Sequence, residues 1–260
     1  MVSPRRPRTE PFPGCAGEAR PRPMKLSIVI PVYNEEERVG PAVEALNASL
    51  PLPDAAAEVV FVDDGSTDRT QAVLASAPAR FPFAVHAYRP NRGKGYALKT
   101  GVLRTTGDYI LFLDVDMSTP LTELEKFRPA MARGAPVIIG SRKTAGSRIV
   151  KGQSAFRRKL GEGFSFLSNL LLVPGITDFT CGFKVFRGDA GRRIFAAQRI
   201  ERWGFDAEII FLAGKYGYPV TEIPVSWTND ERTKVRLGKD VLRSLSDLLR
   251  IRGNDLAGKY

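Results

Sequence analysis

The reading of the fold starts from Asp108-Tyr109-Ile110-Leu111-Phe112-Leu113-Asp114-Val115-Asp116. A short, wholly apolar run that ends in charge is the pattern of a buried parallel strand meeting a loop at a sheet edge. Alternate strand residues point the same way, so the Asp114 and Asp116 carboxylates can converge on one locus. Two close carboxylates repel, and a hard divalent cation with oxygen ligands, Mg²⁺ or Mn²⁺, compensates them and can bridge to a diphosphate. The competing reading of Asp114-Val115-Asp116 alone is a turn whose aspartate caps the next helix.

Outward from this run, strands and helices alternate. Upstream, KLSIVIPVY (25–33), EVVFVDDGS (58–66) and FAVHAYR (83–89) read as strands. The segments 35–50, 67–77 (capped by Ser66 or Thr67) and 94–105 carry helical spacing. Downstream, 121–132 reads as a helix and APVIIGSR (135–142) as a strand. Repeated β-α-β units imply an α/β fold with a parallel sheet covered on both faces and a ligand site at the carboxyl ends of the strands. At those ends stand PVYNEEE (31–37), VDDGSTD (62–68), RPNRGKG (89–95), DVDMSTP (114–120) and GSRKTAGSR (140–148). A surface loop accounts for any one of them, whereas the set points to a shared site.

Two further segments of that rim have their own chemistry. Asp63 and Asp64 repeat the carboxylate pair one strand earlier, either as Asp-Gly turn chemistry or as acceptors for a nucleobase N–H. Pro31, Tyr33 and Glu35 can contact base and ribose. Arg92-Gly93-Lys94-Gly95 places cations and flexible backbone before a helix N-terminus, a phosphate-binding arrangement, without the spacing of a Walker A loop.

The chain has 260 residues, 43% hydrophobic and 26% charged, enough for one large domain or two packed halves. No run approaches the ~20 apolar residues of a membrane-spanning helix. Cys15 and Cys181 make neither a disulfide framework nor a metal site, which fits a reducing cytoplasm. The single histidine, His86, sits in an apolar strand segment, so acid–base chemistry falls to carboxylate, Lys or Tyr or is not required. A net charge of +11 calls for an anionic partner: phosphate-bearing substrates, an anionic membrane face or nucleic acid. Nucleic acid is excluded as the favoured partner, because no recognition motif accompanies the charge. Four segments are expected: a disordered Pro/Arg-rich tail over 1–23 (with Met24 as an alternative start), a nucleotide-sugar-binding half over 24–140, an acceptor-binding half of the same domain over 141–238, and a C-terminal amphipathic helix and tail over 239–260.

SIVIPVYNEEE (27–37), VVFVDDGSTD (59–68), NRGKGYALKTG (91–101) and ILFLDVDMS (110–118) together resemble glycosyltransferase family 2, whose Rossmann-like, mostly parallel sheet flanked by helices is called GT-A. ITDFTCGFKVF (176–186), IERWGFDAEII (200–210) and EIPVSWTNDERTKV (222–235) resemble its polyprenyl-phosphate branch, the dolichyl-phosphate glucosyltransferases most closely. The resemblance implies nucleotide contacts at Pro31, Tyr33, Glu35 and Asp63, metal and diphosphate contacts at Asp114 and Asp116, and Ser118 where some relatives have a third, Gln, ligand. It also implies that Arg142, Arg157 and Lys234 hold the phosphate of the acceptor lipid or of the donor.

The expected reaction moves a hexose, glucose favoured, from UDP-glucose to a polyprenyl or dolichyl phosphate with inversion, at the cytoplasmic face of a membrane touched peripherally. A GDP-mannose-dependent relative, a saccharide acceptor and a non-catalytic binding protein are the alternatives. A phosphate nucleophile is already anionic at neutral pH, so positioning and charge neutralisation matter more than a general base. Asp178, Asp206 and Glu208 remain as spare carboxylates, with either direct roles or salt bridges to arginine. Val241, Leu242, Leu245, Leu248 and Leu249, interleaved with Arg243, Arg250 and Arg252, form a helix that either lies on an anionic membrane or packs on the core. The segment 156–172 has the same dual character and can line the acceptor entrance.

Overall fold

A computed structural model describes residues 24–50, 52, 55–230, 232 and 239–260. Seven strands form one sheet: β1 (Met24–Val32), β2 (Ala55–Asp63), β3 (Phe83–Ala87), β4 (Tyr109–Leu113), β5 (Val137–Ser141), β7 (Phe183–Arg187) and β8 (Val220–Pro224), in the order β3-β2-β1-β4-β7-β5-β8. Two short strands, β6 (Arg148–Lys151) and β9 (Ser226–Thr228), pair separately.

The expected α/β sheet is present, with one departure. β7 runs antiparallel between β4 and β5, so the sheet is mixed. Apolar periodicity shows that a strand is buried but not its direction. Direction here follows from the chain's route: after β5 it leaves the sheet through β6 and the helix α5 (Ala155–Leu171), and it returns reversed. The boundary anticipated after residue 140 falls inside β5, and the sheet is continuous through it.

Helices cover both faces. On one side α1 (Val39–Ser49), α2 (Thr70–Ser76), a 3-10 turn (Leu121–Lys126) and α4 (Arg128–Ala132) enclose Ile28, Ile30, Phe61, Leu111 and Phe183. On the other, α3 (Lys94–Val102), α6 (Gly188–Ala197), α7 (Phe205–Lys215) and α8 (Lys239–Leu256) enclose Val29, Val62, Phe112, Phe186 and Ile210. Alternate residues of β1, β2 and β4 thus enter opposite cores, as their period of two requires.

Several helices differ from expectation at their ends. α1 begins at Val39 rather than Glu35, after a turn in which the Arg38 and Val39 N–H groups donate to the Glu35 carbonyl at 2.8 and 3.0 Å. α2 begins at Thr70, and neither Ser66 nor Thr67 caps it. α3 ends at Val102. The single helix expected over 121–132 breaks at Phe127, with Pro129 in the first turn of α4. α5 is capped by Ser154, whose Oγ accepts from the Arg157 N–H at 3.4 Å. Residues 1–23, including Cys15, and residues 233–238, including Lys234, lie outside the described residues.

Candidate active site

β4 delivers Asp114 and Asp116 to the carboxyl edge of the sheet, but by a route other than strand alternation. β4 ends at Leu113, and residues 114–117 form a turn closed by the Met117 N–H donating to the Asp114 carbonyl at 3.1 Å, with Met117 at φ 49°. Val115 points into the core at 7% exposure. Ser118 adds a backbone N–H to Asp116 Oδ1 at 2.9 Å.

Asp114 is hemmed in. A Cβ placed on Gly182 would overlap its carboxylate, so only glycine at 182 leaves the acid its position. Lys94 Nζ lies 2.6 Å from Asp114 Oδ1, so this oxygen is paired with an ammonium. Burial would lower the Lys94 pKa, but Asp114, Asp206 and Asp116 outweigh it and raise it. Burial, and then the neighbouring Asp114 charge, push Asp116 above the ordinary carboxylate range. A divalent cation suits this pair, because it would relieve the repulsion between the two carboxylates that contributes to raising Asp116. Among the described residues no three His, Cys, Asp or Glu side chains group as a metal site. Diphosphate and water oxygens would complete the ligand set, the ordinary habit of Mg²⁺.

A second buried charge pair supports this edge. Lys184 of β7, fully buried, donates to Asp206 Oδ1 at 2.5 Å and to the Cys181 carbonyl at 2.7 Å. Burial is also the main cause that raises the Asp206 pKa. Lys184 lies two residues beyond Gly182, and its role was not read from the sequence. A lysine inside the apolar run FKVF is the signal that would have found it.

Arg142 follows β5 and is already paired. Its Nε and Nη2 donate to the two oxygens of Asp178 at 2.7 and 2.8 Å, and Nη2 also donates to Thr180 Oγ1 at 2.8 Å. Burial would raise the Asp178 pKa, but the Arg142 charge and its donated bonds hold it well below the usual carboxylate range. Asp178 is thus the salt-bridge partner of an arginine. Glu208, by contrast, accepts from the Arg199 and Ile200 N–H groups and the Tyr260 hydroxyl. Arg157 on α5 is half-buried, and its Nε is buried with no partner; Arg158 is exposed and reaches Glu162 at 3.9 Å.

The donor side is built from clamped loops. Pro31 lies in β1 opposite Val62, and Tyr33 is 37% exposed. Asn34, at φ 52°, accepts from the Thr67 N–H at 2.7 Å and donates its own N–H to Ser66 Oγ at 2.9 Å. Glu35 pairs with Arg38 at 3.2 Å. Asp63 is fully buried and accepts from the Ser66 N–H at 3.0 Å and from Gln71 Nε2. Asp64 uses both oxygens to hold the 91–93 loop, accepting from the Arg92 and Gly93 N–H groups at 2.7 Å each and from Asn91 Nδ2 at 2.7 Å. The Arg92 side chain turns to Glu201 and stacks 3.4 Å over the Tyr96 ring. The loop therefore brings Lys94, and not the Arg92 guanidinium, to Asp114.

The profile of glycosyl transferase family 2 matches residues 27–195. The chain belongs to that family. It is 33% identical over 246 residues to a dolichyl-phosphate beta-glucosyltransferase of Dictyostelium discoideum, spanning 90% of this chain and 75% of the relative. It is 34% identical over 250 residues to the human dolichyl-phosphate beta-glucosyltransferase, spanning 91% and 77%. Among solved structures, glucosyl-3-phosphoglycerate synthase of Mycobacterium tuberculosis in complex with Mn²⁺, UDP-glucose and phosphoglyceric acid superposes with TM-score 0.65 at 18% identity, covering 88% and 80%. Mannosyl-3-phosphoglycerate synthase of Rubrobacter xylanophilus gives TM-score 0.65 at 17% identity, covering 91% and 76%. At these identities the structures establish the GT-A fold, and the family membership establishes a glycosyltransferase.

Proposed function

We propose that this family member transfers glucose from UDP-glucose to a polyprenyl or dolichyl phosphate, with inversion and with a divalent cation at Asp114 and Asp116. The observation that carries the reading is the Asp114 carboxylate, wedged beside Gly182, with the Asp116 carboxylate two residues on and repelled by it. The names of the curated relatives support both the lipid phosphate and the sugar. Their β product supports inversion, because the sugar of UDP-glucose is α-linked. Structural neighbours of the same fold hold Mn²⁺ or Mg²⁺ with UDP.

The residues divide the work. Asp63, Glu35, Tyr33 and Pro31 flank the nucleoside, while Asp64 acts at one remove by holding the 91–93 loop. The cation, when bound, neutralises the departing nucleoside diphosphate. Lys94 adds positive charge at the same locus. Arg157, with its buried unpartnered Nε, and Lys234 receive the acceptor phosphate, while Asp178 fixes the Arg142 guanidinium for the same task. No general base is needed, because the lipid phosphate oxygen is already ionised. Ser118 serves Asp116 through its backbone N–H and stands beside the metal site as a candidate third ligand.

Among the described residues no helix is long and apolar enough to cross a membrane. Contact with the cytoplasmic membrane face is proposed to be peripheral, through the outward faces of α5 and α8. Incubating purified protein with UDP-glucose or GDP-mannose, with and without polyprenyl phosphate, in Mn²⁺ or EDTA, tests the reading. Metal-dependent glucosyl lipid formation, abolished by Asp116→Ala, is expected. Turnover with GDP-mannose alone, or an Asp116→Ala variant of unchanged rate, would overturn it.

A further inference from the structure

A cleft of about 380 Å³ opens between α3, the loop that joins α6 to α7, and the end of α8. None of Asp114, Asp116, Arg142 or Arg157 lines it. Its walls carry Arg92, Lys99, Arg199, Arg250 and Lys259 against a single carboxylate, Glu201. Of these, Arg92 is the one paired with Glu201. Lys99 spends two donors on the carbonyls of Ala196 at 3.1 Å and Gln198 at 2.6 Å. Arg199 Nε donates to the Lys259 carbonyl at 2.9 Å, which fixes the root of its guanidinium and leaves its terminal nitrogens for a ligand.

The concentration of positive charge is unfavourable by itself. Burial first, and then neighbouring Arg199 and Arg92, push Lys99 below its ordinary pKa in spite of Glu208 and Glu201. A polar orphan shares the cleft: Gln198, 3% exposed, donates Nε2 to the Ile200 carbonyl at 2.8 Å, and its Oε1 is buried with no partner. Buried polar atoms are paired as a rule, so a lone acceptor among cations needs an occupant to explain it. A phosphate monoester satisfies both features. Its oxygens match guanidinium forks and ammonium point charges, and a hydroxyl on the group that bears the phosphate can donate to Gln198 Oε1.

We propose that this cleft binds a phosphate-bearing anion at a site separate from the donor diphosphate and the acceptor phosphate. Lys99, Arg199, Arg250 and Lys259 supply the charge, and Gln198 supplies the acceptor. The same chemistry is offered by a soluble phosphate ester and by an anionic lipid headgroup.

Calorimetric titration of the full chain with pyrophosphate in EDTA tests this, because without metal the Asp114 and Asp116 carboxylates repel the probe. Saturable binding is expected, weakened at least tenfold in Arg199→Gln/Lys259→Gln. UDP binding in Mn²⁺ by that double variant, unchanged from the parent, shows that it is folded. Flotation with vesicles of phosphatidic acid in phosphatidylcholine separates the two sources. Vesicle binding lost in the double variant assigns a lipid headgroup, and vesicle binding retained while pyrophosphate binding is lost assigns a soluble ester. Absence of saturable pyrophosphate binding, or equal binding by the double variant (which would report Arg157 and the acceptor side), overturns the proposal.

Discussion

Gly182 and Asp114 form one unit, although 68 residues separate them in the chain. The Asp114 N–H donates to the Gly182 carbonyl at 3.3 Å, and the missing side chain of Gly182 is the space the carboxylate fills. Gly182→Ala must therefore displace the acid. A misplacement of about 1 Å can cost ~100-fold in rate, so activity is expected to fall by about that factor, with Mn²⁺ affinity reduced in parallel by titration and the melting profile still cooperative. Asp178 behaves differently, since its service is to Arg142. Asp178→Ala strands a buried guanidinium and is expected to cost about 3–5 kcal/mol in chemical denaturation. Its pH signature has a definite sign. The folded carboxyl lies below its ordinary 3.8, so the pair's contribution is complete above about pH 4 and is lost as pH falls through the folded value. Wild type should lose stability on acidification more steeply than Asp178→Asn, and parallel curves would refute the assignment. Asp114 and Asp116 were legible in the sequence because an apolar run ending in charge marks a strand edge. The pairings Arg142–Asp178 and Lys184–Asp206 were not, because partners 36 and 22 residues apart meet only through the reversed strand β7.

At the scale of elements, α8 packs one face on the core and leaves other apolar residues outward. Leu248 and Ile251 are fully buried against the core, while Leu242, Leu249 and Leu256, spaced by seven, are 65–87% exposed on the opposite side. α5, in contact with α8, also exposes Phe156, Phe166 and Leu170. Helical periodicity identified the apolar residues but not how they divide, because the division depends on what α8 packs against. Adjacent residues can therefore be set against one another. Leu248→Ala should cost about 2–5 kcal/mol of stability through the cavity it leaves. Leu249→Glu should leave stability within about 0.5 kcal/mol and reduce binding to anionic vesicles several-fold. Equal loss of stability in both variants would mean that the outward face is not free, and undiminished vesicle binding by Leu249→Glu would remove α8 from the membrane contact.

Over the whole molecule, the proposed transfer requires a donor diphosphate and an acceptor phosphate to meet at the carboxyl edge of the sheet, and Arg38 links two segments there. Its guanidinium contacts Glu35 at 3.2 Å, Asp230 at 3.2 Å and the Arg232 carbonyl, tying the loop after β1 to the segment that leads to Lys234. The three side chains are 9–13% exposed, so the charges sit largely out of water. The Asp230 carboxyl, bonded to Arg232 and near Arg38, is held down at about 2 despite partial burial. The Thr228 N–H donates to the Ser118 carbonyl at 2.9 Å, so the same segment also rests on the turn that carries Asp116. Removing one partner from such a network leaves the other charges uncompensated. Arg38→Met is expected to destabilise the protein by about 3 kcal/mol, and its kinetic effect should be unequal. The donor-side loop keeps the Glu35 N–H bond to Thr70 Oγ1, whereas Asp230 and Arg232 lose their tie to that loop. The KM for polyprenyl phosphate should therefore rise by about tenfold or more, with the KM for the nucleotide-sugar changing much less. A variant in which only the KM for the nucleotide-sugar rises would show that Arg38 orders the donor loop alone, and that the acceptor segment is held in place by β9.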